Sequence, residues 1–324
     1  MEASSSLPAV TDSAADPNLT ALVDRARALA DASLAPNSRR AYAADFADFS
    51  TWCSGQNLSP APAPPQTVAL YISALSGFAK ASTIQRRLSA IARAHKDLGL
   101  ESPVAHPIVR KVMSGVRRTN GAAPTTKVAL SVEAIRKICA ALPESTLGIR
   151  DRALLLVGFF TGVRRSELVG FDFEDVSFEE RGAVLRVRRS KTDQEQIGRT
   201  IGIPYGRTST TCPVRSLRSW LHMAHISTGP LFRPVNRHGA VLPQRLTDKA
   251  VARTVKRWAR AVGMDSSSVA GHSLRAGLAT SAAAAGASER SIMSQTGHRS
   301  EAMVRRYIRH GSVWVDNAAL VLEL

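Results

Sequence analysis

Helical periodicity runs through most of the chain, and the alternation typical of β-strands is confined to one place. In the first third, Ile84, Leu88 and Ile91 recur at the i, i+4, i+7 spacing of a buried helix face. Two alternating segments, AVLRVRRS and RTIGIPY, flank the polar stretch SKTDQEQIG, and this arrangement predicts a hairpin with a long tip. The sequence therefore predicts a mostly α fold with an all-α N-terminal domain. The second domain is predicted to be mixed α/β, helix-dominated, with a small antiparallel sheet.

The length of 324 residues suits two domains, each large enough to bury its own apolar centre. Residues 1–34 are weakly patterned and are expected to form a disordered leader. Residues 35–119 read as the first, helical domain. The stretch TNGAAPTTK is rich in small residues, so we place a linker at 120–128 and the second domain at 129–324.

The net charge of the chain indicates what kind of molecule it binds. The chain carries +17, and such a surface attracts polyanions, with DNA or RNA as the first expectation. The excess is uneven: residues 1–79 carry 4 Lys or Arg against 7 Asp or Glu, whereas residues 80–127 carry 10 against 2. No apolar run approaches the roughly 20 residues of a membrane-spanning helix, and the N-terminus lacks the pattern of a secretory signal. We therefore expect a cytoplasmic, nucleoid-associated protein without a membrane partner.

Residues suited to phosphate chemistry cluster in the C-terminal third. In GHSLRAG, His272 and Arg275 are three apart and share one face of a helix that opens near Ser273. His298 follows in TGHRS and Tyr307 in MVRRYIRHG. On one unbroken helix the nine residues between these two would span about 13 Å, too far for a common site. Gly297 and a cap at Ser300 instead predict a bend that folds His298 back toward the tyrosine.

Two further candidates lie earlier in the second domain. In TGVRRSEL, Arg164 follows a glycine-containing turn, and the carboxylate of Glu167 can hold an arginine or a neighbouring imidazole in place. Lys191 is the only lysine in the predicted hairpin tip and could close over a substrate to donate a proton. The sequence contains no HExxH, EF-hand loop, P-loop or GxGxxG, and its three cysteines have no metal-ligand spacing. No metal site and no cofactor site is predicted.

In chain order the candidates are Arg164, Lys191, His272, Arg275, His298 and Tyr307. This set resembles the active-site signature of tyrosine recombinases and phage integrases, and the likeness is greatest to the Cre-like site-specific recombinases. The N-terminal helices are similar to that family's core-binding, SAM-like domain. The resemblance implies that Tyr307 attacks a scissile phosphate to give a 3′-phosphotyrosine, without metal, ATP or any other cofactor. The implied catalytic residues are Arg164, Lys191, His272, Arg275, His298 and Tyr307, with Glu167 in support. Arg164 is preferred over its neighbour Arg165 because it has the family spacing to Glu167.

The resemblance also implies partners. They are a duplex DNA recombination site and three further copies of the chain in a homotetramer, assembled through a tail helix at 315–324 that docks on the next protomer. Two basic helix faces resemble the DNA-contacting helices of the family. Their predicted DNA-binding residues are Gln85, Arg86, Arg87, Arg93, Lys96, Lys249, Arg253, Lys256 and Arg257.

Other interpretations fit parts of the same sequence. The basic faces could be solvated charge rows, and the tail could fold back on its own domain. A type IB topoisomerase would use the same residues to relax supercoils as a monomer. A catalytically silent DNA-binding protein would share the basic faces, but the presence of all six catalytic residues counts against it.

Overall fold

The computed structural model describes residues 17–32, 35–121, 127–188 and 198–311, and it confirms the predicted fold class. The chain divides into two compact units, Met1–Thr125 and Thr126–Leu324. No helix within the described ranges is both long and apolar enough to cross a membrane.

The described residues of the first unit form helices and no strand. Prolines stand at the first turn of several of them, where the missing N–H costs no hydrogen bond. The expected face of Ile84, Leu88 and Ile91 is buried, and it packs against Phe49 and Tyr71. The α-helices of this unit are α1 (Pro17–Ala32), α2 (Pro36–Gly55), α3 (Pro65–Ser76), α4 (Ala81–Asp97) and α5 (Pro107–Thr119).

The expectation of a disordered leader over 1–34 is wrong for its second half. Residues Pro17–Ala32 form α1, while residues 1–16 and 33–34 lie outside the described part of the chain. The segment has proline at its start, and leucines and alanines of high helix propensity follow. The weak apolar pattern of these residues favoured the prediction of disorder, but helix propensity acts locally and does not need a large apolar face.

The second unit surrounds one helix that is buried along most of its length. This helix is α7 (Thr146–Thr161), and its residues Leu154, Leu155, Leu156 and Val157 have no exposed surface, so neighbours cover it on several sides. The helix ends at Thr161, and the next residue, Gly162, adopts the left-handed conformation with φ of 59°. The helices of this unit are α6 (Val132–Ala141), α7 (Thr146–Thr161), α8 (Arg165–Gly170), α9 (Pro213–Met223), α10 (Asp248–Ala261), α11 (Ser273–Ala284), α12 (Glu289–Thr296) and α13 (Glu301–Gly311).

The only sheet among the described residues has three antiparallel strands in the order β1-β2-β3: Val176–Glu179, Gly182–Val187 and Arg199–Pro204. In β2 and β3 the pairing runs from Gly182 opposite Pro204 to Val187 opposite Arg199. Residues 189–197, which connect these two strands, are outside the described ranges. Arg199 is the first residue of β3 and pairs with Val187, the last residue of β2.

Gly277 of α11 shows how tightly the second unit is packed. A Cβ at this position would lie 2.1 Å from the carbonyl oxygen of Leu130 and 2.9 Å from the Phe159 ring. We expect Gly277→Ala to lower the free energy of unfolding by about 1–3 kcal/mol, because the backbone of Leu130 must move. Gly115 of α5 has no atom within 4 Å of its Cβ position. As the matched control, Gly115→Ala should stabilise its helix by about 0.5–1 kcal/mol. Urea unfolding of both variants measures the difference, and equal effects would contradict the packing argument.

Candidate active site

Arg275 is the most buried charged group of the candidate site. It lies in the first turn of α11 with 1% of its surface exposed. Its Nη1 donates to the carbonyl oxygen of Gly162, at 2.7 Å, and to that of Thr296. The other terminal nitrogen, Nη2, is buried and has no hydrogen-bond partner among the described residues. A buried guanidinium with a spare donor is suited to binding an oxyanion.

Glu167 holds Arg164 at the start of α8. The carboxylate accepts from the Arg164 backbone N–H at 3.0 Å and from its Nη1 at 2.7 Å. The neighbouring Arg165 instead pairs with Asp248 of α10 at 3.0 Å. Of the two consecutive arginines, Arg164 is therefore the one joined to Glu167.

The predicted bend between His298 and the tyrosine is confirmed. Helix α12 ends at Thr296, Gly297 is left-handed with φ of 68°, and α13 begins at Glu301. The His298 and Tyr307 rings lie 5.7 Å apart between centroids. Nδ1 of His298 is 2.7 Å from Oγ1 of Thr296, a contact that orients the imidazole.

Tyr307 also meets the second histidine. Its hydroxyl lies 2.7 Å from Nε2 of His272, so the phenol donates to the imidazole when Nε2 carries no proton. The tyrosine packs on a small cluster that includes Ile292 and the fully buried Val304. This packing holds α13 against α11 and α12.

The charges of the site act on its titratable groups. Desolvation, then the positive charges of Arg275 and Arg164, lowers the pKa of His272, so this imidazole is neutral at pH 7. The same causes lower the pKa of His298 to about 3. Desolvation raises the pKa of the Tyr307 phenol above its ordinary value of 10, and the charge of Arg275 opposes that rise. At neutral pH the pair is therefore a phenol beside a neutral imidazole.

His298 should make folding stability depend on pH. Its pKa is about 3 in the folded protein against an ordinary value of 6.5. Between these values the unfolded chain binds a proton that the folded chain does not, so stability is complete above pH 6.5 and falls as pH decreases. From pH 7.5 to 5.0 we expect this histidine to contribute a loss of about 1–2 kcal/mol. Urea unfolding at the two pH values tests this. His298→Gln should show a smaller pH dependence than the unmodified protein, and an unchanged dependence would contradict the assignment.

Arg199 and Thr296 belong to the site but were not predicted from the sequence. Arg199 Nη1 donates to the carbonyl of Gln295 at 2.8 Å, and its Nη2 lies 3.2 Å from that of Thr296 and 3.5 Å from Glu167 Oε2. An arginine at a strand end is ordinarily solvated, and the carbonyl groups that it contacts here lie almost a hundred residues away. No local pattern in the sequence could have revealed this contact.

Lys191 and the tail at 315–324 lie outside the described residues.

The predicted DNA-binding residues lie on α4 and α10, where most of them are exposed. Arg87 differs, since its side chain is 18% exposed and its Nη1 contacts Asp48 and the Tyr71 hydroxyl. Arg86 is joined to Asp45 at 2.9 Å. Further exposed basic residues that we did not single out lie on α5, namely Arg110, Lys111, Arg117 and Arg118.

Comparison with known proteins gives two family matches. Residues 129–312 match the phage integrase family, and residues 27–100 match the phage integrase N-terminal SAM-like domain. The chain is 40% identical over 298 residues to an integrase/recombinase xerD homolog of Selenomonas ruminantium, covering 91% of this chain and 87% of that protein. It is 26% identical over 282 residues to the recombinase cre of Escherichia phage P1, covering 81% and 80%.

Solved structures share the fold. A XerH site-specific recombinase bound to a palindromic difH substrate aligns with a TM-score of 0.61 at 19% identity, over 81% of this chain and 73% of that one. A lambda integrase tetramer bound to a Holliday junction aligns with a TM-score of 0.60 at 18% identity, over 92% and 79%. The domain matches, the extended identity and the shared fold agree: this chain is a member of the phage integrase family, the tyrosine recombinases.

Proposed function

We propose that this protein is a site-specific DNA recombinase that cleaves and rejoins duplex DNA through Tyr307. One observation carries the proposal: the Tyr307 hydroxyl contacts a neutral His272 in a site whose buried Arg275 has a donor to spare. A nucleophile, a proton acceptor and a cation for the phosphate are thus within one small volume. These are the parts that attack on a phosphodiester requires.

In the proposed reaction, the phenol oxygen of Tyr307 attacks the scissile phosphorus and its proton passes to His272. Arg275 and Arg164 stabilise the negative charge that develops on the nonbridging oxygens, with His298 as a further hydrogen-bonding group. The bond to the 5′ oxygen breaks, and Lys191 supplies the proton that this oxygen takes up. The products are a 3′-phosphotyrosine and a free 5′-hydroxyl, and attack by another 5′-hydroxyl reverses the step.

Glu167 acts in this proposal through Arg164. The carboxylate is almost completely buried and accepts from both the backbone and the side chain of that arginine. Since a held guanidinium loses little freedom when phosphate binds, Arg164 is prepared for the transition state. The pairing of Arg165 with Asp248 leaves it no part in this site.

We propose duplex DNA as the substrate and the exposed basic faces of α4 and α10 as contact surfaces. Most of these contacts would reach phosphates, which fix the position of the protein without reading sequence. Proteins with this fold include a XerH recombinase solved bound to a palindromic difH substrate and a lambda integrase solved as a tetramer bound to a Holliday junction. By this likeness we propose four protomers that exchange strands in pairs, with the tail at 315–324 docking on a neighbour.

Covalent capture tests the function. Cells that express the protein are lysed under denaturing conditions, and the DNA attached to it is sequenced. We expect enrichment of one short site, and two copies of that site on a plasmid should recombine in the presence of the purified protein. Relaxation of supercoiled plasmid without recombination would favour a type IB topoisomerase. Binding without any covalent adduct would favour a silent DNA-binding protein.

The role of Lys191 is tested by changing the leaving group. Lys191→Ala should cleave the ordinary substrate about 100-fold or more slowly, the usual range for loss of a general acid. A substrate with sulfur in place of the 5′ bridging oxygen needs no proton to leave, so it should restore the rate. Single-turnover cleavage of both substrates measures this, with Arg275→Ala as a variant that sulfur should not rescue. If the sulfur substrate leaves Lys191→Ala slow, the lysine is not the acid.

A further inference from the structure

Arg199 contacts both the C-terminal end of α12 and Glu167. Helix α12 ends at Thr296, and its last four carbonyl groups have no partners within the helix. The backbone N–H of Gly297 bonds the first of them, Met293 O, at 2.7 Å. The Arg199 guanidinium contacts the other three, at 3.4 Å for Ser294, 2.8 Å for Gln295 and 3.2 Å for Thr296. One side chain of β3 therefore completes the capping of α12.

Thr296 connects this cap to the reacting groups. Its carbonyl oxygen accepts from Arg199 and also from Arg275, so two guanidinium groups converge on one atom. Its hydroxyl contacts Nδ1 of His298 at 2.7 Å. A shift of the α12 terminus would therefore move the partners of both Arg275 and His298.

The Arg199 Nη2 that contacts the Thr296 carbonyl also lies 3.5 Å from Oε2 of Glu167. Glu167 also holds Arg164. Arg199 is 21% exposed, and desolvation is the first cause that lowers its pKa, while the Glu167 charge opposes this. The Arg199 side chain is thus joined on one hand to Glu167, which holds Arg164, and on the other to Thr296, which contacts Arg275 and His298.

Gly297 fits this arrangement for two reasons. Its φ of 68° is strained for residues with a side chain, and a Cβ there would lie 2.7 Å from Cζ and Nε of Arg199. The guanidinium is packed directly against the turn that leads to His298.

We propose that Arg199 is a positioning residue of the cleavage reaction, which braces the end of α12 against Glu167 and so fixes Arg275, Arg164 and His298 around the phosphate. The inference rests on the proposed function of Tyr307. No contact of Arg199 with Tyr307 or His272 occurs among the described residues, so it acts through its neighbours. Arg199 is the first residue of β3, so the brace also joins the sheet to α12.

The test compares Arg199→Met, Arg199→Lys and the control Arg186→Met. Arg186 is an exposed arginine of the same sheet, on β2 opposite Thr200. Three quantities are measured: affinity for the captured site DNA, the rate of covalent complex formation at saturating DNA, and the imidazole ¹⁵N resonances of His298 without DNA. Thermal unfolding establishes that each variant is folded.

We expect Arg199→Met to keep its DNA affinity, to form the covalent complex about 100-fold more slowly, the effect of a displacement near 1 Å, and to shift the His298 resonances. Arg199→Lys keeps the charge but lacks the fork that reaches several acceptors at once, so its rate should be intermediate. Arg186→Met should behave as the unmodified protein. If Arg199→Met does not fold, the same comparison is made with Arg199→Lys.

Two results would overturn the inference. One is an unchanged rate or unchanged His298 resonances in a folded Arg199 variant. The other is a loss of affinity whose cleavage rate recovers fully at saturating DNA, since that would make Arg199 a DNA contact. Failure of the proposed function is distinguishable, because the unmodified protein would then form no covalent complex. The His298 resonances of DNA-free Arg199→Met would still decide whether Arg199 braces α12.

Discussion

Replacing Tyr307 with phenylalanine is expected to abolish the covalent protein–DNA complex while leaving DNA binding intact. The change removes one oxygen, the proposed nucleophile, from a ring that packs on Val304 and Ile292. The ring itself stays, so the fold and the helices proposed to contact DNA should be unaffected. The hydrogen bond to His272 is lost, but both partners reach solvent, so the cost to stability is small.

The measurement is denaturing electrophoresis of the protein after incubation with site DNA, alongside a native binding assay. Tyr205→Phe is the matched control, because this partly exposed tyrosine of the same unit lies beneath Arg215 and away from the candidate site residues. It should form the covalent complex at the normal rate. An adduct that persists in Tyr307→Phe would exclude Tyr307 as the nucleophile.

Replacing Arg275 with lysine should reduce the cleavage rate by about 100- to 1000-fold, the range seen when one donor to a transition-state oxyanion is removed. The guanidinium uses Nη1 for the carbonyls of Gly162 and Thr296, and Nη2, which has no partner among the described residues, is the donor proposed for phosphate. The lysine ammonium is a single point charge, so it cannot donate to the two carbonyl groups and to a phosphate at the same time. Desolvation lowers the pKa of Arg275 to about 10, so a guanidinium keeps its proton here at pH 7.

Arg165→Lys is the control, because Arg165 lies at the start of α8, next to the catalytic candidate Arg164, but pairs with Asp248. Its cleavage rate should change little. Single-turnover cleavage at saturating DNA separates the chemical step from binding, and unfolding experiments establish that Arg275→Lys is folded. Cleavage by Arg275→Lys at the normal rate would remove Arg275 from the proposed mechanism.

Much of the fold could be predicted from local pattern. Helical spacing of apolar residues identified the core face of α4, and alternation identified β2 and β3. Both signals are local, because periods of 3.6 and 2 residues report which side of an element is buried. The bend at Gly297 was predictable for the same reason. The helix α1 was missed because its weak apolar face resembles that of an unstructured segment.

The sequence by itself determined the candidate reactive residues: order and spacing selected His272, Arg275, His298 and Tyr307. Tertiary structure alone decided which neighbours those residues have. Arg165 turns to Asp248, Arg87 is occupied by Asp48 and Tyr71, and Arg199 joins Glu167 to α12. The physical reason is that a long cationic side chain carries no periodic signal. Its role depends on which carbonyl and carboxylate oxygens the folded chain brings within about 3 Å, and those oxygens come from distant segments.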